Sequence, residues 1–188
     1  MENIDKEKQA QNLELFKKKL IECGVNTEAL IEKYQNNLQE GTYAFSITNS
    51  VFCGDGTFLN VILRTLTPIA IKLNELLPQE KKVDNKVVIK TCLLHQISKT
   101  IMVTPNDNKW EIENRGILYK FKPSDCALKQ GMRTIAMCME CGIQLTEQEI
   151  EAISNLDREE DKQMKFFSSP LSIILKQANE ITDITGRK

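Results

Sequence analysis

The chain has 188 residues, 41% of them apolar, with 25 lysines and arginines against 26 acids and a formal charge of -1. That length can bury a substantial core as one domain, and no Pro/Gly/Ser-rich linker divides it. The even charge balance excludes the general basic bias expected of an obligate nucleic-acid binder.

In chain order, Asp5 to Cys23 reads as an amphipathic helix with Leu13, Phe16, Leu20 and Ile21 on one face, stopped by Gly24. Thr27 then caps a short helix over Glu28 to Asn37, with Leu30, Ile31 and Tyr34 as its apolar contacts. Leu38 to Gly56 reads as a loop. A long helix follows from Thr57 to Leu77, and Pro68 inside it predicts a kink or restart near Thr67, since proline removes a donor and crowds the preceding turn. After the charged break QEKKVDN, Asp84 or Asn85 caps the most continuously apolar segment, Val87 to Thr100. Its apolar residues cover nearly every helical angle, which predicts a helix packed on most sides and carrying the chain's one histidine, His95.

From Ile101 to Lys122 the period changes to two. Trp110 and Ile112, then Ile117, Tyr119 and Phe121, alternate around Asn114-Arg115-Gly116 and predict a β-hairpin. Ser124 is expected to cap a helix to Cys141 with Leu128, Met132, Ile135, Ala136 and Met139 inward, ended by Gly142. Thr146-Glu147-Gln148-Glu149 forms a capping box opening a helix with Ile150, Ile153 and Leu156 on one side. The run DREEDKQMK reads as a solvated loop, and a last helix begins at Ser169-Pro170 with Leu171, Ile174, Leu175, Ala178 and Ile181 apolar. The polar N-terminus, MENIDKEKQAQ, lacks a signal-peptide pattern, and Asn60, Arg64, Lys72 and Asn74 interrupt the longest apolar stretch. A soluble cytoplasmic protein with no membrane partner and reduced cysteines is therefore expected.

Leu93-Leu94-His95-Gln96-Ile97-Ser98-Lys99 resembles the apolar-apolar-His-Asp-x-x-Lys of HD-domain proteins, with Gln96 at the Asp position. Other landmarks follow in that family's order from about Gly54 to Ile181. Gly56-Thr57-Phe58-Leu59-Asn60 is similar in spacing to a Gly-x-Leu-x-His turn into a helix, with Asn60 at the histidine or, on a three-residue shift, Thr57. Lys129-Gln130-Gly131-Met132-Arg133-Thr134 is similar to Gly-His-Gly-Glu-Lys-Ser, Ala152-Ile153-Ser154-Asn155-Leu156 to Ala-Ile-x-x-His, and Leu175-Lys176-Gln177-Ala178-Asn179 to apolar-x-x-Ala-Asp. The resemblance implies an all-α, HD-domain-like helical bundle with a small β-hairpin insertion. It implies one domain over residues 1–188, with the N-terminal helices (1–40) packed on it as an extension.

The family's members are metal-dependent phosphohydrolases, and their four ligand positions correspond to Asn60, His95, Gln96 and Asn179. Three are neutral amides, poor ligands for a hard divalent cation and unable to move protons near neutral pH. The reading that follows is a catalytically degenerate domain acting as a binding or regulatory protein. Its polar pocket would comprise Asn60, His95, Gln96, Lys99, Gln130, Arg133 and Asn179, with Lys176 nearby, and would suit a phosphate-containing small molecule or a partner's carboxylate without cofactor or metal. The plainer reading is that the amides satisfy one another and His95. The alternative is a phosphohydrolase acting on nucleotides or other phosphate esters, with manganese or magnesium in a rearranged site, for which Asp125, Asp157 and Asp183 are the candidate acids. Cys138-Met139-Glu140-Cys141, at a helix C-terminus with no second CxxC, reads as structural rather than redox-active or zinc-binding. Cys92 lies three residues before His95, but no acid nearby in sequence would orient a Cys-His pair.

Overall fold

A computed structural model describes residues 4–155 and 168–188 and shows a mostly helical chain with one small two-stranded antiparallel sheet. Helix α1 (Lys6–Glu22) opens at Asp5, whose carboxylate accepts from Lys8 N at 2.8 Å, and ends before Gly24 at φ 81°. Leu13, Phe16 and Leu20 are buried, while Ile21, expected beside them, faces solvent. Helix α2 (Glu28–Glu40) runs past the predicted Asn37, because Leu38 belongs to the core and is drawn into the helix that buries it. Thr27 does not cap with its side chain; Asn26 Oδ1 accepts from Glu28 N at 3.0 Å instead.

The stretch from Thr57 continues without a break through α3 (Thr57–Val61), a π-turn (Ile62–Leu66) and α4 (Thr67–Glu75). Thr67 donates both its N–H and its hydroxyl to Ile62 O, the latter at 2.7 Å, so the wider turn falls just ahead of Pro68. The helix thus makes room for the proline ring by adding a residue to one turn, and its α-helical part restarts at Thr67.

The central helix α5 (Asn85–Leu94) begins at Asp84, as expected, but stops at Leu94 rather than running to Thr100. Residues 95–98 form tight turns, with Ile97 N bonded to Leu94 O and Lys99 N to Gln96 O, before the short α6 (Lys99–Met102). Strand β1 (Val103–Pro105) then pairs with β2 (Tyr119–Phe121) in the register Val103 to Phe121. The hairpin predicted around Asn114-Arg115-Gly116 is corrected here. Trp110 and Ile112 lie on helix α7 (Lys109–Arg115), started by Asn108 Oδ1 accepting from Trp110 N and Glu111 N and ended by Gly116 at φ 60°. The Asx cap outcompetes the alternation, so the partner of Tyr119 and Phe121 comes from before the helix.

Helix α8 (Gln130–Glu140) starts at Gln130, not near Ser124, and Lys129 provides no side-chain cap. Its buried residues are Gly131, Thr134, Ile135, Met137 and Cys138; of the predicted set only Ile135 is buried, and Leu128, Met132, Ala136 and Met139 face solvent. Backbone approach decides the rotation: a Cβ on Gly131 would come within 2.5 Å of Ile153 O, so this helix lies against α9 (Glu147–Ser154) on its glycine side. Gly142 at φ 69° and the Ile143 N to Cys138 O bond of 2.8 Å close α8 as expected. The capping box of α9 is complete, Thr146 Oγ1 accepting from Glu149 N and Glu149 from Thr146 N. Ile153 is buried, Ile150 faces solvent, and Leu156 and the run DREEDKQMK lie outside the described residues.

Helix α10 (Pro170–Gly186), capped by Ser169, packs against both α4 and α9; α4 packs on α5, and α1 on α2 and α5. Leu13, Phe16, Leu30 and Leu38 join Phe58, Leu66, Leu93, Leu94 and Leu175 in one hydrophobic cluster, so the N-terminal helices share the core they were expected to flank. No helix among the described residues is long and apolar enough to cross a membrane.

Gly131→Ala should lower stability by roughly 1–2 kcal/mol in a urea titration, because the overpacking cost against Ile153 exceeds the helix-propensity gain of a methyl. A neutral or stabilising outcome would show that α8 can move off α9 freely.

Candidate functional site

His95 sits where α5 ends, fully covered, and that position follows from the local sequence. His95 N still bonds to Thr91 O at 2.9 Å, so the residue closes the helix, while the next three turn away toward α6. Its Nδ1 lies 2.7 Å from Cys92 O on the preceding turn. A backbone carbonyl only accepts, so Nδ1 carries the hydrogen. Burial, with a smaller push from the Lys99 charge, lowers His95 from its ordinary 6.5 to about 4, against the opposing bonds to Cys92 and Asn179. The ring is neutral at pH 7, and Nε2 presents a lone pair.

That lone pair faces Asn179 on α10, whose Oδ1 lies 3.3 Å from His95 Nε2 and 3.4 Å from Gln96 Nε2. Two acceptors cannot bond each other, and Gln96 Oε1 is buried without a partner. Turning both amides by half a rotation removes the acceptor clash and gives Gln96 Oε1 a donor, leaving Gln96 Nε2 in the buried place the oxygen held, since oxygen and nitrogen of an amide are nearly equal in shape. Asn179 Nδ2 then donates one hydrogen to His95 Nε2 and the other to Gln96 Oε1. The imidazole lone pair that would otherwise bind a metal is taken by an amide hydrogen.

Beside this network opens a cavity of about 270 Å³ whose lining includes His95, Gln96, Lys99, Gln130 and Asn179. Gln130 is held there by α8: Ser98 Oγ donates to its carbonyl at 3.0 Å, and Thr134 Oγ1 to Ser98 Oγ at 2.9 Å. Lys99 donates to Tyr43 O, with its Nζ 4.8 Å from the Tyr43 ring centre and 5.2 Å from that of Phe45. It has no carboxylate in ion-pair contact among the described residues. Burial lowers its pKa from 10.5 to about 8, opposed by Asp183. Tyr43 donates its hydroxyl to Asp183 Oδ1 at 3.2 Å, and burial, reinforced by that carboxylate, raises the phenol.

Five of the seven expected pocket residues are thus brought together, and two are not. Asn60 lies on α3 facing α1, accepting from Asn12 Nδ2 at 3.4 Å. Thr57, the alternative at that position, staples a loop by accepting from Tyr43 N at 3.0 Å and donating to Gly54 O. Arg133 turns away along α8 and donates to Ser124 Oγ and Cys126 O at 2.9 and 2.6 Å. Among the candidate acids, Asp183 lines the cavity, Asp125 is exposed elsewhere, and Asp157 lies outside the described residues. Tyr43 and Glu180 also line it, and neither was expected. The signal for Glu180 was present: Lys176, Asn179, Glu180 and Asp183 recur at helical spacing and draw a polar stripe on an otherwise apolar helix. Cys92 offers its carbonyl, not its thiol, to His95. Cys138 and Cys141 are both buried, and burial pushes the Cys138 thiol up to about 12.

The residues present do not fit a divalent metal. His95 Nε2 is committed to Asn179, the other two groups beside it are amides, and the described residues contain no cluster of three His, Cys, Asp or Glu side chains able to hold an ion. In comparisons with family models, curated proteins and solved structures, nothing matches this chain.

Because the folded His95 titrates near 4 and an unfolded one near 6.5, the unfolded chain binds the extra proton first on acidification. This contribution, roughly 3 kcal/mol, is fully present above pH 6.5 and lost as pH falls through 4. Denaturation midpoints of His95→Gln should show a flatter slope than wild type between pH 6.5 and 4; equal slopes would place the titrating group elsewhere. Asn179→Asp should raise the histidine's pKa, readable by NMR, because a carboxylate at Nε2 favours the imidazolium.

Proposed function

We propose that this chain is a catalytically degenerate, HD-like helical domain that acts by binding a small phosphate-containing molecule in a metal-free pocket. The observation that supports the reading is the convergence of His95, Gln96 and Asn179, from distant parts of the chain, beside the buried Lys99. These are the positions, in the order, at which the family resemblance puts its His-Asp pair and distal Asp. Their chemistry is that of a polar recognition surface. With the amides turned as His95 requires, Asn179 Oδ1 is left to offer an acceptor to the cavity, and Gln130 adds an amide to its lining. Lys99 supplies a positive charge with no ion-pair partner among the described residues.

No proton donor or acceptor suited to hydrolysis stands in the network, since a histidine held neutral by burial and bonded at both nitrogens has no free site. A phosphohydrolase with a rearranged site is the second reading, favoured by Glu180 and Asp183 on the cavity wall.

Elemental analysis and thermal melting separate the two. Manganese or magnesium should leave the melting temperature unchanged, while a nucleoside monophosphate should raise it, by mass action roughly 2.7 kcal/mol at one hundred times its Kd. Stoichiometric metal with a stabilising shift would overturn the binding reading in favour of the phosphohydrolase.

A further inference from the structure

A second cavity, of about 550 Å³, opens on the other side of Lys99 and shares Tyr43, Lys99 and Asp183 with the first. The two differ in charge. Lys99 and Lys176 face Glu180 and Asp183 in the first, so its lining is balanced; Lys99, Arg187 and Lys188 face Asp183 alone in the second. None of these three cations has a carboxylate in ion-pair contact among the described residues, and the one acidic side chain in the lining already accepts from the Tyr43 hydroxyl.

The placement of Arg187 and Lys188 is built by the backbone. Val51 N donates to Gly186 O at 2.8 Å, Ser50 and Arg187 form an antiparallel bridge, and Lys188 N reaches Asn49 O at 3.4 Å. Gly186 lies so close to Phe52 that a Cβ would meet the ring at 2.4 Å, which fixes the end of α10 against this turn. The same turn supplies neutral donors. Ser50 Oγ accepts from Phe52 N at 3.1 Å, leaving its own hydrogen to give, and Asn49 takes the Thr48 hydroxyl on its oxygen, leaving its amide hydrogens. Both line the cavity. The negative end of the α10 dipole is offset by the two cations that follow it.

From this arrangement we infer that the second cavity is a phosphate subsite: Lys99, Arg187, Lys188, Ser50 and Asn49 take the phosphate of a phosphomonoester whose uncharged polar head lies against His95, Gln96 and Asn179. The inference rests on the binding reading above and deepens it, moving the anion away from the imidazole and assigning the amides to the head. Charge-assisted donors select the phosphate, and amide donors and acceptors select a hydrogen-bonding head such as a nucleobase or a sugar.

The test is calorimetric titration of the full chain with AMP, ribose 5-phosphate, adenosine and inorganic phosphate, repeated on the double variant Arg187→Ala/Lys188→Ala and on Lys99→Met. Both residues of the double variant are exposed, so its fold and melting curve should stay as in wild type. The expected result is that a phosphomonoester binds wild type at least tenfold more tightly than adenosine, that the double variant weakens it at least tenfold, and that Lys99→Met abolishes it. AMP above ribose 5-phosphate identifies the head as a nucleoside, and the reverse as a sugar; the subsite stands in either case. Equal affinity for AMP in wild type and in the double variant overturns the subsite while leaving the binding reading intact. No binding of any probe to wild type overturns both.

Discussion

The bond that most of this structure depends on joins His95 at the end of α5 to Asn179 near the middle of α10. It ties two helices distant in the chain, and it does so through a neutral, buried ring. Neutrality is what makes the contact affordable, because a buried imidazolium would need a negative partner and Asn179 is not one. An amide serves here where an aspartate would not. Its two hydrogens satisfy His95 and Gln96 together, whereas a carboxylate would present a second acceptor to an imidazole lone pair. The chemistry of these three side chains is that of holding hydrogen bonds.

Lys99 carries the opposite logic. It is covered by aromatic rings, donates to Tyr43 O, and keeps a charge whose desolvation pulls its pKa down to about 8. A protein optimised for stability alone would put an apolar side chain there or pair the ammonium. Asp183 is close enough to be felt, yet its oxygen is turned to the Tyr43 hydroxyl. The resulting partly uncompensated cation, lying between two cavities, is the main electrostatic reason to expect an anionic ligand.

What could be read from the sequence was local. The helix starts at Asp5 and Ser169, the Asp84 cap, the Thr146 capping box, the glycine stops at Gly24 and Gly142, and the restart at Thr67 are decided by residues within one helical turn, and each is present. Some local readings failed as well, since Thr27 and Ser124 do not cap and the Asn108 cap makes a helix where alternation predicted a strand; the other failures were decided at a distance. The inward face of α8 is set by how closely Gly131 approaches Ile153, which no periodicity in α8 contains, and the strand partner of Tyr119 lies beyond an intervening helix. The central helix was drawn too long because its apolar residues continue through Ile97; tertiary bonds from Ser98 to Gln130 and from Lys99 to Tyr43 reward the turn over another helical repeat. The site was legible to the extent that its residues share an element with His95 or sit at helical spacing on α10. Asn60 and Arg133 were misplaced because motif order says which residues occur, not which way a helix is rotated.

The polar stripe on α10 connects these points. Lys176, Asn179, Glu180 and Asp183 fall on one side of a helix whose other side, Leu171, Ile174, Leu175 and Ala178, belongs to the core against α4 and α9. Rotating α10 by one residue would bury charge and expose leucine, so the core fixes the stripe's direction to within a fraction of a turn. The stripe extends past the helix end to Arg187, which the backbone of the 49–51 turn then holds in place. One rigid element thus presents an amide to His95 at its middle and a guanidinium to the second cavity at its end. The spacing between the two chemistries is set by helix geometry and by the backbone bonds that hold residues 187 and 188 to the 49–51 turn.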